Sequence, residues 1–336
     1  MITLATASLD KKGLETLRKY GEVRYQPIAE TRQMLGGKRL VRALEDVDVF
    51  ITEADNLRER EFNSIENLQI VCSCRGNPVN IDIPAATQKG IPVVNSPGRN
   101  MDAVADLTIV LMIMLARNIL PASKLLRERE PGDDMNFMTK LYFGMKGIEL
   151  WNMTVGIIGL GAVGQSVAKR LKPFGARLVG TDPYVSQEAM AEMGVEKVEL
   201  EKLLEESDFV TLHVMVNEET KGMLGKKELS MMKESAFFIN TARSVLTDEA
   251  ALTELLRENK IAGAGLDVFD KEPLPVDHPL MELDNVVLLP HIGGATAQVA
   301  THQTQIVVPA IEALIKGERP SNIVNPEVLD TFKFRK

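Results

Sequence analysis

Apolar positions in the first hundred residues fall into short runs separated by stretches of helical period. The runs at residues 2–6 (ITLAT), 23–28 (VRYQPI), 47–52 (VDVFIT), 68–73 (LQIVCS) and 92–96 (PVVNS) predict strands. They are short, rich in β-branched residues and bounded by turn formers. Between the first two the spacing predicts a helix that Ser8 would cap, with Leu14 and Leu17 facing inward. Strands alternating with helices imply a parallel sheet covered on both faces. Residues 100–117 break this rhythm as one long helix. Its apolar stretch at 107–116 (LTIVLMIMLA) is too short for a bilayer and suits a buried helix or an oligomer interface. A polar stretch of alternating charge, residues 127–134, reads as a solvated loop.

A second alternation begins at residues 154–159 (TVGIIG). It continues through 177–182 (RLVGTD), 209–214 (FVTLHV), 236–240 (AFFIN), 262–268 (AGAGLDV) and 286–289 (VVLL), with helical stretches such as 248–259 between them. The expected fold is α/β: two doubly wound parallel-sheet domains. An apolar helix at 301–314 is free to pack on either one.

A chain of 336 residues, 45% hydrophobic, is long enough for two cores. Its net charge of -8 disfavours nucleic acid as a partner. The only cysteines, Cys72 and Cys74, sit two apart on one expected strand, which suits reduced thiols in a cytoplasmic protein. The start, MITLATASLDKKG, lacks the basic-then-apolar pattern of a signal peptide, and no His/Cys/Asp/Glu cluster has metal-ligand spacing.

The sharpest local motif is GLGAVG, residues 159–164, placed between an apolar run and a helix with Val163, Val167 and Leu171 on one face. Gly159 would permit the tight turn, Gly161 a close approach of backbone to a pyrophosphate, and Gly164 helix-to-strand packing. The N–H groups of Ala162 and Val163 would meet the phosphates. The next strand ends in Asp182, whose carboxylate suits the ribose hydroxyls of NAD and repels the extra phosphate of NADP. Against this stands the plain reading of Asp182 as a turn residue before Pro183.

Three later segments carry candidate chemistry: INTARS with Arg243, LDVFDKEP with Asp267 and Glu272, and LLPHIGG with His291. With the VNSPGRN and VADL segments near residue 100 and the GLGAVG unit, in this order, the chain resembles the D-isomer-specific 2-hydroxyacid dehydrogenase family, which includes phosphoglycerate, glyoxylate/hydroxypyruvate and D-lactate dehydrogenases. The resemblance implies a flavodoxin-like substrate domain (residues 1–100 plus 297–336) and a Rossmann NAD-binding domain (residues 101–296), with hinges near Asn100 and Thr296. A cleft between them would close on substrate, and the long helix after Asn100 would bury its face in a homodimer. No regulatory domain is expected after Asn325.

Reducing a 2-keto acid needs a hydride donor, a proton donor and a cation for the carboxylate. His291 suits the proton donor, Glu272 would fix its tautomer and stabilise the imidazolium, and Arg243 can grip the carboxylate in a planar fork. Taken singly, each has a duller reading: a surface ion pair, a turn acid before Pro273, a turn histidine after Pro290. The family pattern further implies that Asp267, Thr241, Ala242 and Gly294 border the nicotinamide end of the cofactor. It also implies that the backbone of Gly76 and Asn77, in the loop CRGNPVN, completes the carboxylate site. Arg75 would either add a second cation for a substrate with an anionic tail, such as a phosphorylated acid, or pair with a surface acid. Departures from the family are Arg75 and Asn77 in a loop that is usually a plain glycine turn, and Ser244 where glycine is usual. His213, His278 and His302 are weaker candidates. Two other readings are an NAD-sensing scaffold similar to the corepressor relatives, and a dehydrogenase of formate or phosphite. The carboxylate at Glu272 opposes formate, whose enzymes carry an amide there.

Overall fold

The computed structural model describes residues 1–129 and 135–335. Strands are β1 (Ile2–Ala5), β2 (Glu22–Tyr25), β3 (Val49–Thr52), β4 (Ile70–Ser73), β5 (Val93–Val94), β6 (Thr154–Ile158), β7 (Arg177–Thr181), β8 (Val195–Lys197), β9 (Phe209–Leu212), β10 (Phe237–Asn240), β11 (Gly263–Leu266) and β12 (Val286–Leu288). The longer helices are α1 (Lys11–Arg18), α2 (Met101–Ala116), α3 (Ile119–Arg127), α4 (Met135–Gly144), α5 (Ala162–Leu171), α6 (Glu249–Arg257) and α7 (Ala297–Lys316). The chain divides into two compact units, one of Met1–Asn100 with Thr296–Lys336 and one of Met101–Ala295.

The first unit is built on five strands in the order β2-β1-β3-β4-β5, all pairings parallel. This is the flavodoxin-like order. Both faces are buried, so the strands read as continuous apolar runs while alternate residues serve opposite cores. Val49, Ile51, Ile70 and Cys72 face Leu14 and Leu17 of α1 and Val307 and Ile311 of α7. Phe50 and Val71 face Leu40, Leu44 and Phe62 on the other side. The C-terminal helix thus belongs to this unit, whose one face it covers with α1.

Two local expectations need correction. The cap of α1 is Asp10, whose Oδ1 accepts the Gly13 N–H at 2.7 Å, and not Ser8. The run at 23–28 ends as a strand at Tyr25, and Pro27 then caps the short helical turn Ile28–Thr31.

The second unit has seven parallel strands in the order β12-β11-β10-β9-β6-β7-β8, a doubly wound sheet whose order reverses between β6 and β9. Helix α2 lies on one face, with Leu111, Met112 and Leu115 packed against Val155, Ile157, Phe209 and Ile239. The opposite face gathers Val210, Leu212, Phe238 and Leu266 around Leu252 and Leu256 of α6. Edge strand β8, Val-Glu-Lys, had no signal in the apolar pattern. Part of the polar stretch at 127–134, residues 130–134, lies outside the described residues.

Helices α3 and α4 bury no residue, and Ile119, Leu120, Leu126, Met135, Tyr142 and Phe143 are exposed. No single helix among the described residues is long and apolar enough to cross a membrane; α2 and α3 reach that composition only together, across a 62° bend.

The tail beyond α7 is fastened to β5. Val324 N–H donates to Val93 O, and Val93 N–H donates to Oδ1 of Asn325 at 2.8 Å. Nδ2 of Asn325 reaches Ile91 O and Thr87 Oγ1, both at 3.0 Å. Asn325 is buried, so Asn325→Ala strands a main-chain donor and acceptor away from water. We expect it to lower the stability of this unit by about 2–3 kcal/mol, read as an earlier urea transition, whereas a surface asparagine such as Asn67→Ala should change little.

Candidate functional site

Each glycine of the loop after β6 has a distinct geometric reason. Gly159 has φ +89°, and a Cβ there would lie 2.7 Å from Val214 Cγ1 and 2.8 Å from the His213 carbonyl carbon. A Cβ on Gly164 would lie 2.0 Å from Gly159 O, so only glycine lets α5 approach the strand this closely. Gly161, at the N-cap of α5, is different: a Cβ there meets nothing within 4 Å. The loop is therefore open on that side, and no side chain caps the helix. The first-turn N–H groups, Ala162 and Val163 among them, need an acceptor, and the helix dipole favours an anionic one.

Asp182 follows β7 and braces this loop. Its Oδ2 accepts Leu160 N–H at 2.8 Å and its Oδ1 accepts Tyr184 N–H at 2.8 Å. The turn role and the cofactor role are compatible, since each carboxylate oxygen keeps a second lone pair. Open glycine, uncapped helix and carboxylate at the next strand end fit an adenine dinucleotide without a 2′-phosphate.

The remaining candidates hang from the C-terminal ends of β10, β11 and β12, where parallel sheets place their ligand sites. His291 has φ +56°, unusual for a non-glycine residue, and its N–H bonds to Leu289 O across Pro290. Its Nδ1 lies 2.8 Å from Glu272 Oε2, which leaves Nε2 free to face a substrate. Glu272 Oε1 accepts the Phe269 N–H at 3.2 Å. Burial pulls the Glu272 carboxyl upward, but the hydrogen bond to His291, the Phe269 N–H and the charges of His291 and Arg243 outweigh it and hold it below its ordinary value. The structure thus brings Arg243, Glu272 and His291 together.

Asp267 is 1% exposed and holds the His291 turn from beneath. Its two oxygens accept the N–H groups of Ile292 at 2.8 Å and Gly293 at 2.7 Å. Burial raises its carboxyl pKa, opposed by those two N–H groups and by His291. Gly294 lies within the turn that Ala295 N–H closes on Ile292 O.

Asn240 is given no role by the sequence motifs. Its Oδ1 accepts Ala242 N–H and its Nδ2 donates to Arg243 O, each at 3.0 Å, so this buried amide sets the main chain that carries Arg243. The signal available was a polar residue closing an otherwise apolar strand. Arg243 itself is exposed, with Nη1 on Ala242 O. Thr241 is buried.

The other histidines have different surroundings. Burial pushes His213 down to about 3, and its Nε2 sits 2.9 Å from Thr211 Oγ1, so it is neutral at working pH. His278 faces Glu249, with Nε2 3.3 Å from Oε1. The Nδ1 of His302 lies 3.1 Å from Arg99 O.

In the first unit the loop after β4 has its carbonyls tied back. Arg75 O accepts Ser96 N–H at 2.8 Å, Gly76 O accepts Asn95 Nδ2 at 2.8 Å, and Asn77 O accepts Val79 N–H at 3.0 Å. The N–H groups of Gly76 and Asn77 have no acceptor among the described residues and form a small donor surface. Arg75 Nε donates to Glu53 O at 2.6 Å, joining this loop to the end of β3.

Residues 109–293 match the family described as D-isomer specific 2-hydroxyacid dehydrogenase, NAD binding domain. The chain is 39% identical over 324 residues to a D-3-phosphoglycerate dehydrogenase of Methanocaldococcus jannaschii, covering 96% of this chain and 59% of that longer relative. It is 36% identical over 325 residues to a glyoxylate reductase of Korarchaeum cryptofilum, covering 96% of both. Among solved structures, the NAD-complexed D-isomer specific 2-hydroxyacid dehydrogenase of Lactobacillus delbrueckii ssp. bulgaricus superposes with a TM-score of 0.78 at 25% identity, covering 96% of this chain and 99% of that one.

The two inner glycines should respond differently to one added methyl group. Gly161→Ala meets no protein atom and should leave the melting temperature unchanged, yet it should weaken dinucleotide binding by roughly tenfold or more, because the methyl occupies the face a pyrophosphate approaches. Gly164→Ala should lower stability as well. Unaltered NADH affinity in a fully folded Gly161→Ala protein would remove the phosphates from this loop.

Proposed function

Since the chain belongs to the D-isomer specific 2-hydroxyacid dehydrogenase family, we propose that it interconverts a small 2-keto acid and its D-2-hydroxy acid with NAD as cofactor, using His291, Glu272 and Arg243. The observation that carries this assignment of roles is the His291 Nδ1 to Glu272 Oε2 contact of 2.8 Å with Nε2 left free. The similarity to a D-3-phosphoglycerate dehydrogenase and to a glyoxylate reductase favours this reading over a cofactor-sensing scaffold or a formate or phosphite enzyme.

When bound, reduced NAD supplies the hydride. His291 gives the substrate oxygen a proton from Nε2 and regains one from solvent. Glu272, ionised at neutral pH, accepts from Nδ1 and so fixes which nitrogen faces the substrate. Arg243 offers paired N–H donors to the carboxylate and polarises the adjacent carbonyl. Gly76 and Asn77 bind substrate through their main-chain N–H groups, so residues 1–100 with the C-terminal segment act as the substrate domain and residues 101–296 as the cofactor domain. Asp182 selects NAD over NADP by repelling a 2′-phosphate. Asp267, Thr241, Ala242 and Gly294 border the nicotinamide, Asp267 by placing the main chain of residues 292 and 293. We assign the protein to the cytoplasm, consistent with its two free buried thiols. A second copy covers the apolar faces of α3 and α4, and not that of α2, which the sheet takes up, giving a homodimer.

A screen of 2-keto acids, phosphorylated and not, followed by NADH absorbance, tests the activity; no turnover with any acid defeats it. If His291 is the acid, kcat/KM for reduction falls as the solution is made alkaline, and oxidation shows the opposite limb. Glu272→Gln removes the charge that favours the imidazolium and should move both limbs to lower pH. Unmoved limbs would take Glu272 out of the mechanism.

The dimer is checked by light scattering. Leu126→Asp with Phe143→Asp should convert it to monomer while leaving the fold intact, since both side chains are exposed in the single chain, at 48% and 60%. A wild-type monomer would overturn the assignment.

A further inference from the structure

Helix α2 is almost wholly apolar from Leu107 onward, yet it carries one fully buried hydroxyl, Thr108. Its Oγ1 donates to Val104 O at 2.8 Å within the helix. That uses its only proton, so the contact of 2.9 Å with Thr241 Oγ1 has Thr241 as donor and Thr108 as acceptor. Thr241 is the second residue of the turn whose shape Asn240 fixes from inside, and Arg243 follows two positions later. The bonds of Asn240 set the internal form of the turn but leave its placement against the rest of the unit to other contacts. The Thr241–Thr108 bond ties it to a separate element.

The same helix also meets the His291 turn. A Cβ on Gly293 would lie 3.4 Å from Val104 Cγ2 and 3.8 Å from Leu107 Cδ2. One turn of α2, from Val104 to Thr108, therefore touches both segments that carry the proposed chemistry, one through a hydrogen bond and the other through close packing.

We propose that Thr108 is a positioning residue: through Thr241 it sets where the Arg243 turn lies relative to the His291 turn. The proposal rests on the reading of Arg243 as the cation that holds the substrate carboxylate. Valine matches threonine in shape but offers no acceptor, so Thr108→Val leaves the Thr241 hydroxyl buried without a partner. Serine restores the hydroxyl.

The test compares wild type, Thr108→Val and Thr108→Ser as purified full-length proteins. In Thr108→Val, kcat/KM for the best 2-keto acid should fall about ten- to hundredfold, the scale of a small misplacement at a reacting centre. The NADH dissociation constant should stay within about twofold, and Thr108→Ser should keep activity within about threefold of wild type. Hydrogen exchange should quicken in Thr108→Val over residues 240–246 and not along the rest of α2. The proposal is overturned if valine equals wild type, if acid and NADH are weakened alike, or if serine fails as badly as valine. If Thr108→Val does not fold, Thr108→Ala removes the same hydroxyl with a smaller side chain and carries the same expectations. If wild type turns over no 2-keto acid, the functional reading falls, while the exchange comparison still decides whether Thr108 orders this turn.

Discussion

The carboxylate of Asp267 is the interaction on which the turn carrying His291 depends. A nearly inaccessible acid is expensive to bury unless its charge is met, and here two successive N–H groups, those of Ile292 and Gly293, meet it. They belong to the turn just after His291, so satisfying the acid dictates the path of that turn. A side chain at Gly293 would sit 2.9 Å from the same carboxylate, so any residue but glycine would force this grip to shift. The left-handed backbone of His291, φ +56°, is the strain this path imposes, and it swings the imidazole toward Glu272. A buried acid on one strand thereby aims a side chain that follows the next.

Both sheets are parallel with their two faces covered, and this limits where chemistry can occur. The interiors of the central strands are committed to one core or the other, as Val49, Ile51 and Phe50 illustrate on opposite faces of a single strand. Charged side chains are therefore confined, in the central strands, to where the strands stop. The glycine loop, Asp182, Arg243, Asp267 and His291 all follow strand ends of one sheet, and the loop of Gly76 and Asn77 follows a strand end of the other.

Much of this was legible in the chain. Runs such as VDVFIT and AFFIN needed only their apolar continuity, because strands buried on both faces are mostly apolar on each. GLGAVG announced itself because its glycines answer to backbone geometry and not to neighbours far away. What stayed hidden depended on tertiary context. Edge strand β8 packs only partly, so Val-Glu-Lys carries no apolar signature. Ser8 and Asp10 are both competent caps, and their order in the turn, not their chemistry, decides between them. The allegiance of α7 could not be read from its own amphipathic pattern, which suits either sheet. The roles of Asn240 and Thr108 rest on partners that adjoin only after folding, at positions where the sequence shows just one polar residue in apolar surroundings.

The division of the chain also bears on how it comes to be folded. The second unit is continuous, Met101–Ala295, and can complete its core as soon as it has left the ribosome. The first unit cannot. Its five strands are synthesised first, but one face of that sheet, including Ile51, Ile70 and Val94, waits for Val307, Ile311 and Leu314 of α7. The edge of β5 waits longer still, for Val324 and Asn325. The first part made is the last part finished, and an apolar sheet face must be shielded from other nascent chains while some two hundred residues are added between its two halves.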